Sequence, residues 1–159
     1  MFEGSERFVL FSKTYEGHYK IVYNMFKERP LIGHGPKMFR FYCSKKENIN
    51  KELLEVGACT THPHNFYAQS LAETGIIGFS VLSVFFIYIF REFLLNFYFQ
   101  IKFKKQKLSD QAICLLSAYF LTFFPFLPSG NFFNNWLSII IYFPLGFLIY
   151  LIRYKKYYV

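Results

Sequence analysis

The residues of this 159-residue chain whose types and spacing suggest chemistry are His64-Asn65 and, nine residues further on, Gly75-Ile76-Ile77-Gly78. Pro63 precedes the histidine and residues 66–74 read as a helix start, with Asn65 as the N-cap that accepts from free N–H groups of the first turn. His64 therefore stands at the positive end of a helix dipole, which disfavours an imidazolium and leaves a ring able to accept a proton. The same helix end presents N–H groups to an anion, and Arg7, Arg29, Lys37 and Arg40 add positive charge from the preceding segment. A general base beside an anion site is what transfer from a phosphate-linked donor requires.

Other candidates carry plainer readings. His62 is separated from the helix start by Pro63 and reads as a turn residue, while His18 and His34 read as exposed polar residues. Cys43, Cys59, His62 and His64 could be taken as a zinc set, since Cys and His are zinc ligands. The spacing around the histidines is tighter than structural zinc patterns, and Cys43 with Cys59 is more simply a disulfide if the segment faces an oxidising compartment. Cys114 reads as an apolar filler. Glu73 is open between a carboxylate on the helix surface and a polar contact to another span.

The elements that must position these residues follow from periodicity. Tyr19, Val22, Met25 and Phe26 recur at helical spacing opposite Lys20, Asn24, Lys27 and Glu28, so an amphipathic helix is expected over about 14–28. Pro30 stops it, and Gly33 and Gly35 mark the turn beyond. Residues 45–56 are polar and read as a solvated connector in preference to a short helix. Gly75 and Gly78 let the backbone approach a neighbour closely.

The remainder is too apolar for a soluble domain. The chain is 53% hydrophobic and 23% aromatic, and residues 111–152 contain no Asp, Glu, Lys or Arg and are broken midway by Pro125, Pro128, Ser129, Gly130 and Asn131. A spanning helix needs about 20 apolar residues, so the expectation is an all-α integral membrane protein. Residues 1–70 form an extracytoplasmic loop with short helices, and 71–159 form three transmembrane helices near 72–99, 110–128 and 135–152. Arg91 and Glu92 would sit at headgroup level, Trp136 and Tyr150 would anchor span ends, and Pro144 would kink the last span. The net charge of +8 lacks any nucleic-acid-reading motif and points to a membrane surface, not to nucleic acid. Lys102, Lys104, Lys105 and Lys107 follow the first span and Arg153, Lys155 and Lys156 the third, which places both clusters in the cytoplasm and the N-terminal loop outside. Nothing before residue 70 resembles a signal peptide. The expectation is therefore a C-terminal part of a larger multispanning protein or a truncated product; the alternative is a complete three-span protein.

The words Pro30-Leu31-Ile32-Gly33-His34-Gly35 followed by Phe39, Thr61-His62-Pro63-His64-Asn65-Phe66-Tyr67, and Leu71-Ala72-Glu73-Thr74-Gly75 resemble the bacterial O-antigen ligase and O-antigen polymerase superfamily, which includes protein O-oligosaccharyltransferases. The resemblance implies a multi-pass protein of the bacterial inner membrane with its loop facing the periplasm. Such a protein moves a glycan from undecaprenyl diphosphate to an acceptor hydroxyl on a glycan, lipid or protein, with no cofactor, nucleotide sugar or metal. His64 takes the place of the base that activates the acceptor. The family's arginine a little over a dozen residues before the Pro-Leu-x-Gly turn has no counterpart here, where Tyr15, Gly17 and His18 stand. Arg40 is then the preferred diphosphate contact, with Arg7 and Lys37 behind it and Asn65 beside the base. The rival reading is a non-enzymatic membrane subunit of polysaccharide assembly or export whose basic loop binds anionic lipid or glycan.

Overall fold

A computed structural model describes residues 12–45 and 51–154; Arg7, Lys155 and Lys156 lie outside the described residues. Among those described the chain is helical, with α1 (Lys13–Glu28), α2 (Phe39–Ser44), α3 (Lys51–Glu55), α4 (Phe66–Phe103), α5 (Asp110–Thr122) and α6 (Asn135–Tyr154). Helix α1 matches the expected 14–28 closely. Ser12 caps its start, and Arg29 N–H closes its end on the Met25 carbonyl at 3.2 Å. Its buried face is Gly17, His18, Ile21, Val22 and Met25, of which the last three pack with Phe39, Tyr42, Cys43, Leu53, Ala58, Ala68 and Ala72 into one apolar cluster. The connector expected over 45–56 contains α3, a helix of 5 residues. The expected disulfide is present: Cys43 is bonded to Cys59, which ties the end of α2 to the approach to His64.

Helix α4 begins as the sequence indicates, Asn65 Oδ1 accepting from Tyr67 and Ala68 N–H at 3.0 Å each. It is not continuous, because Gly75 (φ 66, ψ −163) breaks it. The break frees backbone groups on both sides, and the turn after α1 uses them. Ile76 and Ile77 N–H donate to the carbonyls of Pro30 and Leu31 (2.8 and 3.4 Å), while His34 and Gly35 N–H donate to those of Ala72 and Glu73 (3.2 and 2.8 Å). A Cβ on Gly33 would overlap the Glu73 carbonyl carbon, and one on Gly75 the Leu31 carbonyl oxygen. The two glycine motifs read separately in the sequence are thus the two halves of one interlock, each needing the other's backbone to satisfy its own.

Beyond Gly75, α4 packs with α5 and α6 around Leu82, Ile89, Leu116, Tyr119, Phe123 and Leu148. Their outer faces stay apolar and uncovered: Val81 is 68% exposed, Ile140 68% and Phe143 70%. Exposure of that extent is unfavourable in water and suits a lipid environment. Two helices, α4 and α6, are long and apolar enough to cross a membrane. The third span expected over 110–128 departs from this, since α5 has 13 residues, about 20 Å of helix against a hydrocarbon core of about 30 Å. It stops at Phe123 because Pro125 disfavours helical backbone in the residue before it. At the far end of α4, Asn96 Oδ1 accepts from Lys107 and Leu108 N–H (3.3 and 3.2 Å), fixing the turn into α5. Buried Glu92 meets Lys107 Nζ at 3.0 Å and Arg91 Nη1 at 2.6 Å. Pro144 lies inside α6.

Candidate functional site

His64 is the residue before the N-cap of α4 and adopts a left-handed backbone, φ 53, which a non-glycine residue holds only where its surroundings impose it. Here they do. Its carbonyl accepts from Ser129 N–H at 2.9 Å, and next to it Asn65 Nδ2 donates to the Pro125 carbonyl at 2.7 Å. The segment between α5 and α6 is thereby fastened over the start of α4, reinforced by Tyr67 Oη donating to the Phe123 carbonyl at 2.7 Å. The half-buried His64 ring borders a small opening of about 60 Å³ with Tyr15, Tyr19, Asn65, Phe126 and Pro128.

Two expectations about the other histidines are corrected. His18, expected exposed, is 1% exposed on the buried face of α1. His62, expected to be a turn residue, lies in a bend before α4 with its ring centroid 4.2 Å from that of His64, and the His18 centroid is 5.5 Å from it. His34 is half-buried, its Nε2–H donating to the Met25 carbonyl at 3.0 Å. Burial pushes the His18 imidazole down to about 4, with His64 and His62 adding to the effect. His62 is likewise pushed down to about 4 by burial, then by His64 and by the charge of Arg40. Both rings are therefore neutral near pH 7. The signal for His18 was in the sequence, since it extends the Ile21, Val22, Met25 stripe by one turn.

Arg40 stands exposed on α2, and its charge adds to what holds the His62 imidazole down. Its placement comes from Glu73, which is fully buried. The Glu73 carboxylate accepts from Lys37 N–H at 2.7 Å, Phe39 N–H at 3.0 Å and Gln69 Nε2 at 3.2 Å. That settles the open reading of Glu73: its partners are the turn into α2 and its own helix. Lys37 serves here through its backbone, with φ 63 and an exposed side chain. Asn65 spends its amide on the cap and on Pro125, and it occupies two of the N–H groups that the helix start was expected to offer an anion.

Gln69 escaped the sequence reading. Fully buried, it donates to Glu73 and to Asn131 Oδ1 (2.9 Å) and accepts from Phe132 N–H at 2.9 Å. Asn65, Gln69 and Glu73 recur every four residues, so one helix face binds both flanking loops. Among the described residues, no group of three His, Cys, Asp or Glu is placed to hold a metal ion, and both cysteines near the site are used by the disulfide.

Residues 14–83 match the family model described as O-Antigen ligase. The matched stretch runs from α1 through the interlock and into α4, so it contains Arg40, Glu73, the histidine cluster and both glycine motifs. No curated protein and no solved structure matches the chain. The stretch that resembles the O-antigen ligase and polymerase superfamily, with His64-Asn65, the Pro-Leu-x-Gly turn and Gly75-x-x-Gly78, thus lies within residues 14–83, which are similar to the O-antigen ligase family.

Proposed function

We propose that this chain carries the reacting centre of a membrane glycan transferase that uses a polyprenyl-diphosphate-linked glycan as donor and a hydroxyl of a glycan, lipid or protein as acceptor. The observation that carries the reading is the His64 ring at a small opening, packed beside two neutral imidazoles, with the charge of Arg40 acting on one of them. His64 takes the proton of the acceptor hydroxyl as its oxygen forms a bond to the anomeric carbon. The bond from that carbon to the phosphate oxygen breaks, and the diphosphate leaves with the electron pair. Arg40 stabilises the departing charge, and attack from the opposite face inverts the anomeric centre.

A cavity of about 440 Å³ beside α4 supports a lipid-borne donor. Its lining is mostly apolar, with Leu82, Phe85, Phe123 and Leu145 beside Ser70 and Thr74, which suits an isoprenoid chain. We place the histidine face in the periplasm and Lys104 and Lys105 in the cytoplasm of the inner membrane, on the charge asymmetry of the two ends.

His64→Ala should reduce transfer from a purified lipid-linked glycan by about 10²- to 10⁴-fold with membrane insertion unchanged. Arg40→Ala should weaken donor use, with Arg40→Lys restoring only part, because a point charge does not reproduce the guanidinium fork. EDTA should have no effect. Near-normal turnover by His64→Ala would remove the proposed base.

A further inference from the structure

Resting on that reading, we propose that His18 is a positioning residue for His64, its bare Nδ1 accepting the hydrogen bond that His64 donates once it has taken the acceptor's proton. A base that becomes a cation needs an acceptor for its second N–H, and in other hydrolytic and transfer sites a carboxylate has that part. No carboxylate hydrogen-bonds to or forms an ion pair with His64 among the described residues. The nearest candidate on α4, Glu73, is already engaged by three donors.

The tautomer of His18 follows from its partner. Thr60 Oγ1 donates its single proton to the His62 carbonyl at 2.7 Å. Toward His18 Nε2, 3.3 Å away, that oxygen can therefore only accept, so the proton of neutral His18 sits on Nε2. Nδ1 is then a lone pair, and it is buried with no hydrogen-bond partner. A buried acceptor left unused is a standing cost, and one that is satisfied only during reaction has a reason to persist. The two ring centroids lie 5.5 Å apart, a separation at which an N–H of His64 turned toward Nδ1 comes within hydrogen-bond reach. Tyr15 on α1 and Phe39 on α2 meet the His18 ring edge-on. His62 also keeps a buried ring nitrogen, Nε2, without a partner and lies 4.2 Å from the His64 ring, so a His62→Phe variant that lowers kcat while His18→Phe does not would assign the acceptor role to His62 and overturn the proposal. Charge transferred to His64 is thus shared with a neutral acceptor through a charge-assisted bond, and the ring is held in one orientation throughout.

Two substitutions separate this role from packing. His18→Asn keeps an acceptor near the Nδ1 position but loses volume; His18→Phe keeps the ring and loses the nitrogen. The positioning role predicts a kcat for His18→Phe about 10- to 100-fold below the native value, with KM for the donor little changed and His18→Asn the more active of the two. Packing alone predicts the reverse order, and that order would overturn the proposal. Nitrogen NMR of histidine-labelled chain in micelles gives a reading that needs no activity. His18 should show Nε2–H and an unprotonated Nδ1 from pH 6 to 8, and His64→Ala should move the Nδ1 resonance. A Nδ1–H tautomer, or a resonance indifferent to His64→Ala, would also overturn it. Near-normal turnover by His64→Ala would remove the base and the positioning role of His18 together, whereas a native chain that transfers no glycan while the resonance still moves would fail the transferase reading and leave the coupling between the rings standing.

Discussion

At the scale of single residues, the site divides by how local its causes are. His64 and Asn65 were legible because a cap acts within three residues of itself, so the sequence order contains the whole relation. The burial of His18 was legible in its apolar stripe, but its place in the site was not, because that rests on the packing of α1 against the strap before α4, 42 residues away in sequence. That burial carries a pH consequence. His18 is held near 4 in the folded chain by burial, His64 and His62, against about 6.5 when unfolded. Above about 6.5 neither state binds the proton and the stability is fully present; between there and 4 the unfolded state binds more protons, so stability falls as pH falls. For His18 alone the loss should approach about 3 kcal/mol by pH 4, as an order of magnitude. The opening free energy of α1, measured by amide exchange corrected for intrinsic rate, should drop between pH 7 and 5. The slope should be shallower in His18→Phe, and an opening free energy equal at both pH values would contradict the assignment.

Among the elements, α1 was legible to within a residue because its apolar stripe and its stop at Pro30 are both local, and α6 because an uninterrupted apolar run of its length has one reading in this context. The break in α4 was not. Gly75 was expected to permit close approach, and it does, but it also turns the chain out of the helix so that the turn at 30–35 can be stitched into the gap. Helical periodicity runs unbroken through the position, so nothing in the pattern distinguishes a packing glycine from a breaking one. The interlock makes a graded prediction. Gly75→Ala combines a backbone conformation essentially confined to glycine with a Cβ that overlaps the Leu31 carbonyl. It should cost about 3 kcal/mol or more. Gly33→Ala, with φ 66 and a Cβ against the backbone of Glu73 and Thr74, should be comparable. Gly57→Ala, at φ 68 but with open space around it, should cost only about 1–2 kcal/mol of strain, and Gly146→Ala, with nothing near its Cβ, should be close to neutral. Thermal unfolding in micelles would rank the four. A Gly75→Ala protein as stable as Gly57→Ala would show that the interlock does not hold the turn to α4.

For the whole molecule, the question is how the chain gets from the far end of α4 back to the histidine face. Apolar composition alone suggested a full span over 110–128, but Pro125 and Pro128 end the helix early and hand the return to an irregular segment. The path is nevertheless fixed at both ends: Asn96 holds Lys107 and Leu108 at one. At the other, Asn65 holds Pro125, His64 holds Ser129, and Gln69 holds Asn131 and Phe132. The irregular stretch is tolerated because its carbonyls at 123 and 125 accept from Tyr67 and Asn65, and Ser129 and Phe132 donate to His64 and Gln69, in place of water. A topology follows that is independent of the helix count. Single cysteines placed at Thr61 and Asn131, with Cys114 replaced by Ser, should both react with a membrane-impermeant maleimide from one side of the native membrane. One at Lys105 should react only from the other, the side proposed to be the cytoplasm. Labelling of Thr61 and Asn131 from opposite sides would break the return path that covers His64. Labelling of Lys105 together with Thr61 from outside would leave α4 lying along the membrane instead of crossing it, and with it would go the apolar cavity proposed for the donor lipid.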